Sequence, residues 1–329
     1  MPSTRPRRAA ALAAAALLLP VLSGCFADRS ADSDSDSASA GSADHRLRVA
    51  MAFPPAQAMS PYGDDAVLLS RLAVTEGLTA LGGDGSARPA LATSWQRSGD
   101  TGWTFELRDA DFQDGRPVTA EAVVRSLTAA GRAAPAPRVL SDTVIEAAAA
   151  DSDTVRITTG EPDPLLTQRL ANPSLAILSP AAYEEEGRAD PTDHATGPFT
   201  LTRLDGTAAA TLERNDGYWG RRAKVPGFDV RFVADGTARA NALRTGDVDV
   251  AENIPVSQAA VVDEKLLREV PTARTNSLYL NTAEGVFADA GLRAAARAAI
   301  DSDALVDGVY EGRADTARGL LGPGVPWAA

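Results

Sequence analysis

A single cysteine, Cys25, stands in this chain of 329 residues. No intramolecular disulfide is available, so the fold must be held by a buried apolar core. Hydrophobic residues make up 44% of the chain, enough for such a core, and the length leaves room for about two domains. With 27 Gly and 21 Pro in no short repeat, a collagen-like or low-complexity polymer is excluded. The formal charge of -12 repels phosphate backbones, which excludes nucleic acid as a partner.

The position of Cys25 indicates a compartment. Arg5, Arg7 and Arg8 precede an apolar run from Ala9 to Val21 that is broken by Pro20 and too short to span a bilayer. This is the layout of an export signal, residues 1–24. It ends in Leu22-Ser23-Gly24-Cys25, which resembles the bacterial lipobox. The resemblance implies cleavage before Cys25 and a diacylglyceryl thioether on its sulfur, which accounts for an unpaired thiol in an exported protein. Two acyl chains on one residue hold a protein durably at a membrane surface. The expectation is an exported lipoprotein anchored, without spanning, at the outer face of the cytoplasmic membrane. Arg7-Arg8 lacks the residues that usually follow a twin-arginine pair, and the Sec and Tat routes both stay open.

Residues 25–44 are mainly Ser, Ala and Asp. They bury too little surface to offset ordering entropy and read as a disordered acidic tether. Asp32, Asp34 and Asp36 mimic the start of a calcium loop, but Ser37 replaces the turn glycine and Ala43 the bidentate glutamate. Folded structure begins near His45. Leu47, Val49 and Met51 alternate as a strand, and the apolar spacing from Asp64 to Leu78 predicts one amphipathic helix. Trp103-Phe105-Leu107, Val155-Ile157, Phe199-Leu201, Thr211 to Glu213 and Val248-Val250 predict further strands. Helices are predicted from Thr119, from about Thr237 to Gly246, and from Ala290 to Ile300 with Asp289 as cap. Interspersed strands and helices give an α/β, mixed α+β, class.

Pro89 to Trp95, Trp103 to Arg108 and Phe112 to Ala120 occur in that order, followed by Thr196-Gly197-Pro198-Phe199 and Glu213-Arg214-Asn215 with Tyr218-Trp219-Gly220. Gly246 to Val250 and Asn281-Thr282 with Ala299-Ile300-Asp301 complete the series. Together these segments resemble the family 5 extracellular solute-binding proteins, the peptide and nickel binders of ABC importers. Ala122 departs from the family's usual Asp. The resemblance implies a type II periplasmic-binding-protein fold: a two-lobed clamp that closes on its solute and delivers it to a membrane permease. It places lobe I at 45–79 and 165–280, an inserted subdomain at 80–164, and only a truncated start of lobe II at 281–329. It also implies a hinge strand through Asn276, Leu278, Leu280 and Asn281. With one jaw incomplete, the chain by itself is expected to bind peptide weakly or not at all.

Local chemistry supports no enzyme. The two histidines, His45 and His194, lack H-E-x-x-H spacing, and there is neither a Gly-x-Ser-x-Gly elbow nor a phosphate-cradling loop. No cofactor and no metal site is expected. Ligand contacts are expected from Phe53, Met59 and Ser60 in the turn leaving the first strand, whose main chain pairs with an extended peptide, and from Trp327; the alternative for Phe53 and Met59 is packing beneath the inserted subdomain. Tyr218 and Trp219 either cover a core edge or line a cleft. Arg293 and Arg297, one turn apart, need a solvated face or nearby acids such as Asp301 and Asp303. Peptide, nickel chelate and sugar stay open as solutes. The alternative is a repurposed lobe acting as a protein-interaction module, or a non-functional remnant.

Overall fold

The computed structural model describes residues 45–184, 188–270, 272, 274–317 and 319. The expected leader and tether, with Cys25, and Trp327 lie outside the described residues. Beginning the described chain is β1 (Leu47–Met51), followed by α1 (Asp65–Arg71) and a short ribbon of β2 (Thr79–Leu81) and β3 (Ala87–Pro89). An antiparallel sheet follows, built from β4 (Ala92–Ser98), β5 (Gly102–Leu107), β6 (Ile145–Ala149) and β7 (Thr154–Thr159) in the order β4-β5-β7-β6. Between β5 and β6 runs α2 (Ala120–Arg132), which packs on β6 and β7. After α3 (Leu166–Arg169) the chain forms β8 (Phe199–Asp205), β9 (Ala209–Arg214) and β10 (Gly227–Phe232). Then come α4 (Gly236–Thr245), β11 (Val250–Ala251), α5 (Val256–Ala259), α6 (Ala290–Ala299) and α7 (Ser302–Gly308).

The second sheet has the order β11-β1-β10-β9-β8, and β1 runs parallel to both its neighbours. The first described strand is thus an interior one, paired on both sides, which explains why Ala50 and Met51 are both buried. Met51, Leu69, Leu72, Phe199, Leu201, Leu212 and Val230 form the core of this sheet. A separate core joins Phe105, Val155 and Ile157 of the antiparallel sheet to Val123 and Leu127 of α2. Leu166, Leu170, Leu175 and Ile177 also enter that core, so the inserted sheet shares its packing with chain beyond residue 164.

Thr119 caps α2 by accepting the Ala122 N–H, and Gly246 closes α4 at φ 76°. The helix expected from Asp64 to Leu78 is shorter. It ends at Arg71 because Ala73 turns to φ 56° and the Val74 N–H folds back to the Leu69 carbonyl. Val74 and Leu78 are buried, but in extended chain, where the Val74 carbonyl accepts from Gly197 and the Ala73 carbonyl from Phe199. A Cβ at position 197 would sit 2.3 Å from the Ala73 oxygen and 2.5 Å from that of Val74. Close approach of two backbones, rather than a tight turn, requires glycine there.

Near the end of the described chain, Asp289 caps α6 as expected. Asp301 and Asp303 do not balance its arginines. Asp301 caps α7 through Ala304, Asp303 accepts from Thr316, and Arg293 donates to the Phe287 and Ala288 carbonyls. No helix among the described residues is long and apolar enough to cross a membrane.

Candidate functional site

Parallel strands β1, β10 and β11 deliver their following loops to one edge of the sheet, the place where open α/β sheets bind ligands. Those loops are tied together. Arg239 of α4, only 3% exposed, donates to the carbonyls of Val233 and Ala234 after β10 and of Glu252 and Asn253 after β11. The Glu252 carboxylate accepts the Ala52 N–H at 2.8 Å and pairs with Arg71, joining the loop after β1 to α1.

Asp65 shapes the rest of that loop. Its buried carboxylate accepts the backbone N–H groups of Ala56, Gln57 and Met59 at 2.8, 2.7 and 2.9 Å. Ala58 and Met59 are held at φ 51° and 62°, a left-handed pair without glycine that costs of order 1 kcal/mol per residue and persists only when its surroundings fix it. The charge-assisted bonds to Asp65 supply that constraint.

The loop forms one wall of a groove of about 1120 Å³, and the outward face of α2 forms the other. Gln57, Ser60 and Tyr62 line the first wall, Val124, Arg125 and Arg132 the second, with Tyr183 between them. Two forces fix α2 here. Its opposite face buries Val123, Leu127 and Ala130, and the Ser126 hydroxyl both donates to the Leu178 carbonyl at 3.0 Å and accepts its N–H at 3.1 Å. The Arg125 guanidinium lies 5.8 Å from the Tyr183 ring centroid. Burial pushes the Tyr62 and Tyr183 hydroxyls up in pKa, so both stay protonated. The Tyr62 hydroxyl lies close to that of Tyr183, yet no acceptor meets it in good hydrogen-bond geometry among the described residues. The groove therefore offers the Arg125 and Arg132 cations, the Ser60 side chain and the apolar surface of Val124, which suits a polar solute with a short carbon skeleton.

A second cluster lies outside the groove lining. Glu76 accepts from the Tyr218 hydroxyl at 2.8 Å and the Trp219 indole N–H at 2.9 Å, and Arg108 lies 3.6 Å over the Trp219 ring. Trp219 packs against the core of the inserted sheet and covers its edge, while Tyr218 stacks against Trp219 at 5.0 Å between ring centroids.

The expected contacts divide. Ser60 lines the groove. Phe53 is 60% exposed but lies outside the groove lining. Met59, expected as an apolar wall, is instead 1% exposed in the core with Leu68, Leu69 and Leu72, because the Asp65 bond turns its backbone inward. Asn276, Leu278, Leu280 and Asn281, expected as a crossing strand, have no strand pairing, and Leu278 is 71% exposed. Asp65, Arg125 and Arg132 were not anticipated. Asp64-Asp65 reads as an ordinary acidic helix start, and polar residues on the outer face of an amphipathic helix read as solvated. Among the described residues no group of three or more His, Cys, Asp or Glu side chains is placed to hold a metal ion.

The architecture is that of the type II periplasmic binding proteins. A nickel ABC transporter protein from Bacillus halodurans superposes with a TM-score of 0.69 at 28% identity, over 85% of this chain and 59% of that one. DppA from Helicobacter pylori, solved with the peptide STSA, matches with a TM-score of 0.67 at 24% identity, over 85% of this chain and 61% of that one, a likeness of fold. The model of bacterial extracellular solute-binding proteins, family 5 Middle, matches residues 86–329, and the chain belongs to that family. Among curated relatives, the probable D,D-dipeptide-binding periplasmic protein DdpA of Escherichia coli K12 is 30% identical over 246 residues, 71% of this chain and 48% of its own length. The glutathione-binding protein GsiB of the same strain is 30% identical over 287 residues, 82% of this chain and 55% of its own. This chain thus spans about half the length of the curated relatives it matches. Those relatives are binding proteins rather than enzymes, and family members are periplasmic or extracellular.

Proposed function

We propose that this chain captures short peptides outside the cytoplasm and presents them to the permease of an ABC importer, as a binder without catalytic activity. The observation that carries the reading is the groove between the Asp65-braced loop and α2, at the strand edge where such sheets bind solutes. Peptide is favoured over nickel chelate or sugar because the curated relatives are named for a dipeptide and for glutathione. Residues 276–281 are the proposed hinge, with Phe53 and Trp327 as outer contacts of the closed form. Cys25 is the proposed lipidation site, holding the protein at the outer face of the cytoplasmic membrane. Replacing it, Cys25→Ser, is expected to abolish fatty-acid labelling and release the protein from the membrane fraction.

Titration of the full chain with di- to tetrapeptides, followed by NMR shifts, tests the capture reading. Saturable, weak binding that perturbs residues 57–63 and α2, and is lost on Ser60→Trp, is expected. Absence of saturation, or shifts confined elsewhere, overturns it. A second reading, docking against another polypeptide, is favoured by exposed Leu278, Tyr279, Leu292 and Leu305. Co-purification of a defined partner lost on Leu292→Asp and Leu305→Asp would support it.

A further inference from the structure

We propose that the groove selects peptides that carry carboxylate side chains, read by Arg125 and Arg132; the proposal rests on the groove being the solute site. Seven residues separate the two arginines. That is two helical turns, so both lie on the groove face of α2, about 10.5 Å apart along the axis. The separation matches about three residues of extended peptide. A short peptide laid along α2 therefore brings an acidic side chain to one arginine and a second acid or its own terminal carboxylate to the other.

Neither arginine forms an ion pair within 4.0 Å among the described residues. Glu121, one turn before Arg125, lines the same wall without pairing with it, and Glu184, next to Tyr183, is exposed and does not line the groove. An arginine fork matches a carboxylate in two parallel bonds, and the Ser60 side chain lines the facing wall. The rest of the molecule argues in the same direction. With a formal charge of -12 the surface field repels anions, so an anionic solute is drawn only where cations are gathered. A neutral or cationic solute needs no such patch.

The test compares Ala-Ala-Ala, Glu-Ala-Glu and Lys-Ala-Lys against the full chain by NMR or calorimetric titration in low salt. The acidic peptide is expected to bind about tenfold more tightly than the neutral one, the size of one charge-assisted hydrogen bond, with the preference falling as salt is raised. In the double variant Arg125→Gln, Arg132→Gln the ratio is expected to fall to about one, whereas Arg125→Lys, Arg132→Lys retains part of it. Circular dichroism confirms that each variant is folded. Equal binding of acidic and neutral peptides by the unaltered chain, or an acidic preference that survives the double glutamine variant, overturns the proposal and leaves peptide capture standing. Failure of all three peptides to bind overturns both.

Discussion

The indole N–H of Trp219 donates to the carboxylate of Glu76 at 2.9 Å, across 143 positions of sequence. With the Tyr218 hydroxyl on the other oxygen, this carboxylate anchors the segment after β9 to the chain that follows α1. Removing it by Glu76→Ala leaves two donors unpaired and is expected to cost about 2–4 kcal/mol, read as a lowered urea midpoint.

Burial, the largest influence, raises the pKa of Glu76 against the opposing pull of Trp219, Tyr218 and Arg108. A carboxyl raised in the folded state binds more protons there than in the unfolded chain. Its contribution to stability is thus fully present below the unfolded value of about 4.3, falls as pH rises toward the folded value, and is flat above it. Urea unfolding across pH 4 to 8 is expected to show the unaltered protein losing stability relative to Glu76→Gln as pH rises. A parallel pair of curves would contradict this.

Asp249 behaves with the opposite sign. Hydrogen bonds from the Arg48 guanidinium come first among the causes that hold its carboxyl well below the usual range, with the Arg48 N–H at 2.8 Å and His45 adding to them. A depressed carboxylate stabilises the fold above its unfolded pKa, and that stabilisation is lost as pH falls through the folded value. The stability difference between the unaltered protein and Asp249→Asn is therefore expected to shrink as acid is added below about pH 4. Acid-unfolding curves of the two proteins measure it.

Asp65 braces the groove through three backbone donors. In Asp65→Asn an amide NH₂ faces at least one of those N–H groups, and the two left-handed residues lose their constraint. A loss of about 2–3 kcal/mol is expected, with faster amide exchange at residues 56–59 and weakened peptide binding.

Gly197→Ala puts a methyl group against the Ala73 and Val74 carbonyls, which are backbone atoms and have little room to yield. Destabilisation of about 1–3 kcal/mol is expected, seen in thermal unfolding, with the peptide preference of any remaining folded protein unchanged.

Much of the fold was legible because it follows from local rules. Thr119 and Asp289 cap helices where a short polar side chain precedes an apolar repeat, and Gly246 stops one where a left-handed residue is needed. Val74 and Leu78 misled because burial imposes apolar residues on extended and helical chain alike, and spacing over a few residues does not separate them. The groove was less legible still. Ser60 was expected there, but Met59 is turned inward by an acid six positions later, and the arginines of α2 carry no local mark distinguishing a groove from open solvent.

By itself the sequence determined the class of fold and the family resemblance and located several strands and helices, because these depend on composition, periodicity and segment order along the chain. Only the tertiary structure decided that β1 lies inside its sheet between β11 and β10, that Glu76 meets Trp219, and that the loop after β1 faces α2. Each of those is a pairing of residues far apart in sequence, settled by how two cores pack rather than by any property of the residues in isolation.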